Sequence, residues 1–343
     1  AAVPLAVLLD RLGFFESMAR LLSRGRHMVA GLWVLAAAVT TVLNLDASVV
    51  LLTPLYVRVA RRTGRSPLAL AFQPVLLAAL ASSALPVSNL TNLIVVAHTG
   101  IGPLDFLAHL GPPSLAATVV GWWCYRGAPG VDASSHDARA PAPAPAPAET
   151  PERRPLVLGG AIVVAVLVGF VAGPGFGVQP WEVAAGADVV LAAAIRRAPI
   201  DAVPWGTALL AAALAVLADA ATSHLPVASL LGGTGALALA RTTGLAALAA
   251  NVGNNLPSVL VAVRVLPPHS SCQLWAVLVG VNMGPVVLAT GALASLLWLD
   301  ALGRLGVEVR PLDFTRMGVR VGLPALGVAL GVLLGLGPLL GCG

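Results

Sequence analysis

Four short stretches place amide, hydroxyl and carboxylate side chains inside otherwise apolar sequence. Asn44, Asp46 and Ser48 interrupt the run from Met28 to Val57, in "NLDASVVLLTP". Ser88, Asn89, Thr91 and Asn92 crowd into "PVSNLTN" behind Pro86. Asn254, Asn255 and Ser258 lie in "GNNLPSVLV", and Asn282 in "VNMGP". A carboxylate in such surroundings can take up and release a proton or balance a cation. Amide and hydroxyl oxygens can hold Na⁺ or a neutral, oxygen-rich solute. The set contains no nucleophile–base pair and no metal-ligand spacing, so it predicts neither an enzyme nor a metal or cofactor site.

What must position these groups follows from composition. Hydrophobic residues make up 58% of the 343 and charged residues 10%. That charge cannot cover a water-soluble surface of this size. Apolar runs recur at close to the roughly 20 residues a spanning helix needs. The expected fold is therefore an all-α polytopic membrane protein with about nine hydrophobic segments. The net charge of +5 comes from arginines that fall in loops between these runs. Such placement is a topology signal rather than a nucleic-acid footprint. Cys124, Cys272 and Cys342 are scattered and read as small apolar fillers, with no disulfide framework. The first residues lack a starting Met and a basic leader, and read as the end of a spanning helix whose beginning is missing.

Charge orders the segments. Gly13 to Leu22 reads as an interfacial amphipathic piece. A single crossing from Met28 to Val57 would put Arg24 and Arg26 opposite Arg58, Arg61, Arg62 and Arg65. A re-entrant hairpin turning at Asn44 to Ser48 keeps them all on the cytoplasmic side. Leu68 to Leu85 then enters and breaks at Pro86. Leu115 to Tyr125 returns. Residues 127–154, with "ARAPAPAPAPAETPERRP", form an exposed cytoplasmic linker between a first repeat (1–126) and a second (155–343). Beyond it, Leu156 to Ala172, Glu182 to Ile195 and Pro204 to Leu217 cross, and 222–240 is interfacial. A second hairpin occupies 244–263, Leu274 to Leu299 is broken at 281–285, and Val321 to Leu340 crosses last.

Each half thus carries a polar-tipped hairpin followed by a broken helix, and the count of crossings makes the two inverted. Paired interrupted helices in corresponding positions point to a secondary transporter's binding site. The residues also resemble the arsenical pump membrane proteins, the arsenite efflux permeases of the ion transporter superfamily. "NLDASVVLLTP" matches their first hairpin, Val87 to Asn92 their first break, and Asn254 to Ser258 their second tip. Asn282 to Pro285 with "GALASLLW" (291–298) matches their last broken helix. The resemblance spans essentially the whole chain. It implies a scaffold domain, a mobile transport domain and homodimers. Departures are Leu45 in place of a common Asn, Asn282 in place of an occasional Asp, apolar Val286 and Leu288, and Ala292 in place of Ser. All but Leu45 lie in the second half and deplete it of oxygen ligands.

Plainer roles compete for several of these residues. Asp46 fits a helix cap as well as a proton carrier. Ser48 and Ser258 can bond back to the preceding turn. His98 suits an interface, and Glu182 and Asp188 a scaffold helix. The leading expectation is export of arsenite or antimonite from the cell across its membrane by proton exchange. Its partners would be protons, membrane lipid and, as in some carriers of this kind, a cytoplasmic ATPase. Sodium/proton antiport or sodium-coupled anion transport of the dicarboxylate type is the alternative. A degenerate, non-transporting membrane protein is the third.

Overall fold

The computed structural model describes residues 2–22, 27–131, 153–196, 209, 213, 227–269 and 271–341. Among these the regular structure is helical. The α-helices are α1 (Ala2–Arg11), α2 (Phe14–Leu22), α3 (Met28–Val42), α4 (Leu45–Arg62), α5 (Pro67–Leu80), α6 (Leu90–Thr99), α7 (Pro103–Arg126) and α8 (Arg153–Ala172). They continue as α9 (Pro180–Ile195), α10 (Val227–Leu231), α11 (Gly235–Gly253), α12 (Asn255–Val265), α13 (Ser271–Met283), α14 (Leu293–Arg304) and α15 (Pro311–Leu336). Most of the expected linker, and the expected crossing from Pro204 to Leu217, lie outside the described residues. Segments Arg153–Phe170, Gly235–Gly253 and Pro311–Leu339 are long and apolar enough to cross a bilayer. Shorter apolar helices include α3, α5, α6 and α12. The chain is an all-α polytopic membrane protein.

It divides into two compact units. The first comprises Ala1–Ala78, Arg126–Val203 and Leu297–Val309. Its centre is the hairpin of α3 and α4, whose apolar faces bury Leu32, Ala36, Val49, Leu52 and Val57. Polar side chains there find backbone acceptors, as groups hidden from water must. Tyr56 Oη donates to Leu32 O, Gln73 Nε2 to Val29 O (3.0 Å), and Trp298 Nε1 to Ala71 O (2.7 Å). These bonds tie α5 to α3 and α14 to α5. Helix α2 seats Phe14 against Gly159 of α8, where an added Cβ would lie 2.4 Å from the Phe14 ring.

The second unit comprises Ala79–Tyr125, Pro204–Leu296 and Arg310–Gly343. Its core helix is α13, apolar all round and fully buried from Leu274 to Val281. Gly280 and Gly284, one turn apart, bring it close to α11. A Cβ at Gly280 would sit 2.4 Å from Thr243 O, and one at Gly284 2.5 Å from the Ala247 methyl. Small residues four apart are how apolar helices approach in a membrane, where dispersion replaces the hydrophobic effect. On the other flank α15 runs so near the segment after Pro285 that a Cβ at Gly318 would collide with Val286 O at 1.7 Å.

Several sequence expectations need correction. The first hairpin does not turn over Asn44 to Ser48. Helix α3 ends at Val42 and α4 begins at Leu45, so only Leu43 and Asn44 lie between them. Residues 235–253 are one helix of crossing length rather than the end of an interfacial piece and the start of a hairpin arm. The breaks are wider than their marker residues. Helix α5 stops at Leu80, not Leu85, and the second break runs from Gly284 to Ala292. Cys272 is disulfide-bonded, which overturns the apolar-filler reading there; Cys124 is free, and Cys342 lies outside the described residues. Scattered spacing hides a disulfide because the bond needs spatial, not sequence, proximity.

Candidate functional site

The tip of the first hairpin is built by Asn44, not Asp46. Asn44 is extended and N-caps α4, its Oδ1 accepting from Asp46 N (2.8 Å) and Ala47 N (3.5 Å). That leaves Asp46 in the first turn of α4, at the positive end of the helix dipole. Its carboxylate receives no hydrogen bond among the described residues, although its backbone is capped. Ser48 bonds back to Leu45 O (3.0 Å) and shares a hydrogen bond with Thr40 of α3 (2.8 Å). Ser48 is therefore a hairpin clasp, and Asp46 is the group at this tip whose chemistry is left unspent.

In the second unit the first break exposes backbone carbonyls that side chains of α7 and of the start of α6 then satisfy. Ser114 Oγ of α7 donates to Leu80 O (2.7 Å). Asn92 Nδ2 donates to both Ser82 O (2.8 Å) and Leu85 O (2.9 Å). Asn89 caps α6 through Thr91 N (3.2 Å). Ser88 closes the buried 3₁₀ turn Pro86–Ser88. Asn282, projecting from α13 and 2% exposed, meets this break with its whole amide. Its Oδ1 accepts from Asn89 Nδ2 (3.0 Å) and Thr91 Oγ1 (2.5 Å), while its Nδ2 donates to Asn92 Oδ1 (2.8 Å) and Ser83 Oγ (3.2 Å). Asn89 Nδ2 also reaches Ser82 Oγ at 3.3 Å. The partners are all neutral.

The second break is braced by a residue that sequence reasoning missed. Asn251 of α11 donates from Nδ2 to Ala247 O (2.9 Å) and Gly284 O (2.7 Å), and its Oδ1 accepts from Leu288 N (2.9 Å). It does for the second break what Asn92 does for the first. The signal was an amide on an apolar helix, three residues before the conspicuous Asn254. Asn254 caps α12 through Leu256 N (3.2 Å) and donates to Thr290 O (3.3 Å). Its φ of 78° with ψ of 152° is a conformation normally left to glycine. Ser258 Oγ returns to Asn254 O (2.8 Å), and Asn255 is buried beside it.

Asn44, Asp46 and Ser48 thus belong to the first unit, and the other expected residues to the second. The structure brings Asn89, Thr91, Asn92 and Asn282 into one network. It assigns Ser258, like Ser48, to local back-bonding. Outside the network, His98 Nε2 meets Leu266 O (3.0 Å), joining the ends of α6 and α12. Glu182 caps α9 through Gln179 N (2.7 Å).

Apolar helices broken around buried, uncharged polar groups are the arrangement of a secondary transporter's binding site. Residues 1–291 match the family model described as the citrate transporter, and the chain belongs to that family. It is 28% identical to the arsenical pump membrane protein of Yersinia enterocolitica and 27% identical to that of Escherichia coli. Both alignments cover 97% of this chain and 84% of the relative. A 46 kDa membrane protein of Mycobacterium leprae is 26% identical over 94% of this chain and 81% of its own length.

Proposed function

We propose that this protein exports arsenite, or antimonite, in exchange for protons by alternating access. The observation that carries the reading is the neutrality of the network around Asn282. It offers amide and hydroxyl donors and acceptors with no charge of either sign. Arsenite near neutral pH is an uncharged trihydroxide. Each of its three hydroxyls can donate and accept, the kind of bonding that Ser, Thr and Asn now make to each other. The names of the Yersinia and Escherichia relatives favour the same solute. Asp46 would carry the proton, since it is the carboxylate at a hairpin tip and receives no hydrogen bond there. The two hairpin-and-break sets would act as inverted repeats, in the cell membrane, with residues 127–154 on the cytoplasmic side.

A second reading has one observation in its favour, the citrate transporter family match. Citrate or a dicarboxylate carries several negative charges and would need cations beside it. The network supplies none, and the carbonyls of Ser82 and Leu85 that could hold Na⁺ are taken by Asn92. Uptake of arsenite into everted membrane vesicles, with a proton gradient or a sodium gradient and with citrate as competitor, separates the two. Proton-driven uptake indifferent to sodium and citrate is expected. Sodium-dependent transport inhibited by citrate would replace the arsenite reading.

A further inference from the structure

Helix α2 is nine residues long, far too short to span a bilayer, and two-faced. Phe14, Phe15 and Met18 lie on its apolar side, Glu16 and Arg20 on the other. The apolar side borders a crevice of about 540 Å³ in the first unit, walled further by Val34 and Val39 of α3 and by Gly160 of α8. That volume lies within the roughly 300–1,000 Å³ of ordinary small-molecule sites. Its lining is almost wholly apolar, and Val34 at its edge is 65% exposed. The polar side carries a charge cluster. Glu16 is held by Arg20 (3.1 Å), Arg58 (3.5 Å) and Arg62 (3.0 Å). Asp10 also acts on Arg58 and Glu16, so three guanidinium groups meet two carboxylates and one positive charge is left over. The Arg58 and Arg62 side chains remain 50% and 54% exposed.

We propose that the crevice and the arginine cluster together form a binding site for an anionic phospholipid, with an acyl chain in the crevice and the phosphate at Arg58 and Arg62. Helix α2 takes part in both: Phe14, Phe15 and Met18 wall the crevice, and Glu16, between them in sequence, gathers Arg58 and Arg62 of α4. Basic side chains at the membrane surface select anionic headgroups, and an apolar groove beside them selects a chain. A soluble phosphate would satisfy the arginines and leave the crevice unfilled. Glu16 does not cancel the surplus. Burial pushes its carboxyl up, but the Arg20 hydrogen bond and the Arg58 and Arg62 charges outweigh that and hold it below the usual range, so it stays ionised and keeps the guanidinium groups aligned.

The test is native mass spectrometry of the purified full-length protein with phosphatidylglycerol or phosphatidylcholine of identical chains. Wild type should retain phosphatidylglycerol preferentially. The pair Arg58→Gln/Arg62→Gln should lose roughly tenfold of that preference. Gly160→Leu should reduce retention of both lipids. A Cβ there meets nothing within 4 Å, whereas one at neighbouring Gly159 strikes Phe14, so the variant fills the crevice without unseating α2. Equal retention of the two lipids by wild type, displacement by excess inorganic phosphate, or unchanged preference in the arginine pair would overturn the proposal. Because a variant can fail to fold, wild type is also exposed to phosphatidylglycerol bearing a photoreactive acyl chain. Label on Met18, Val34 or Val164 supports the site, and label confined to other helices refutes it.

Discussion

Replacing Asn282 with Ala removes the side chain that every arm of the second unit's network shares. Asn89 Nδ2 would keep Ser82 Oγ at 3.3 Å. Asn92 Oδ1, Ser83 Oγ and Thr91 Oγ1 would each lose the partner now 2.8, 3.2 and 2.5 Å away. An interhelical hydrogen bond in a membrane protein is worth about 0.6 kcal/mol on average, which puts the loss of all four near ~2 kcal/mol. Orphaned buried polar groups cost about 1–3 kcal/mol each, which lifts the figure to about 4 kcal/mol when hydroxyl rotation relieves part of it. The expected loss is therefore about 2–4 kcal/mol. It is read by equilibrium unfolding, titrating dodecyl sulfate into mild-detergent micelles. Thr91→Val combined with Asn282→Ala should cost less than the two singles together, by about 0.5 kcal/mol or more. A loss under about 0.5 kcal/mol, or strict additivity, would refute the network. Asn282→Asp adds a pH signature. Asn92 cannot turn its amide to compensate, because Ser82 O and Leu85 O hold its Nδ2. A neutral carboxyl can donate to Asn92 Oδ1 and a carboxylate cannot, so this variant should be near wild type in acid and lose stability as pH rises.

Asn44→Ala should cost about 1 kcal/mol by uncapping α4, and Asn44→Ser should restore most of it. At Asn254 the strained backbone reverses the ordinary ranking. Asn254→Gly loses the cap but relieves the strain and stays within about 1 kcal/mol of wild type, whereas Asn254→Ala loses the cap and keeps the strain, costing about 2–3 kcal/mol. Equal losses in the same unfolding titration would remove the strain argument. The Glu16 cluster has a defined pH window. A carboxyl held below its ordinary value of about 4.3 stabilises the folded state above that pH and ceases to as pH falls through the lower folded value. The melting-temperature gap between wild type and Glu16→Gln should therefore be full at neutral pH and shrink in acid, once pH falls below the ordinary carboxylate range. A gap that persists in acid would point to packing instead.

The membrane class, the helical fold, the polar tip between α3 and α4 and the two breaks were legible because each depends on local composition. An Asn or Asp inside an apolar run has one physical meaning in lipid, and Pro86 fixes where a helix cannot continue. What the sequence hid was set by partners distant in the chain. Asp46 fitted a cap as well as a proton carrier because Asp is a favoured cap, but α4 starts at Leu45 and Asn44 is the residue that caps it. Helix α5 ends five residues earlier than Pro86 requires because Ser114 and Asn92 take the carbonyls it abandons. Nothing local marks Ser82 and Ser83; α13 brings Asn282 to Ser83, and the break brings Asn89 to Ser82. Asn251 was overshadowed by the Asn254–Asn255 pair, and only the path of the second break from Gly284 to Leu288 shows what it holds. The small-residue contacts of Gly280 and Gly284 were likewise invisible, since a glycine in an apolar run says nothing of what it faces.

Proton coupling through Asp46 is tested most directly in proteoliposomes that enclose a pH-sensitive dye. An arsenite gradient is imposed across the membrane, and the opposing proton flux is recorded for wild type and for Asp46→Asn. Arsenite exchange at equal concentrations on both sides is followed in parallel. Wild type should move protons against the arsenite gradient. Asp46→Asn should keep the exchange and lose the proton flux, because the amide preserves the shape of the tip but cannot titrate. Proton flux of wild-type size in Asp46→Asn, with arsenite still transported, would contradict the account and move the coupling to another group.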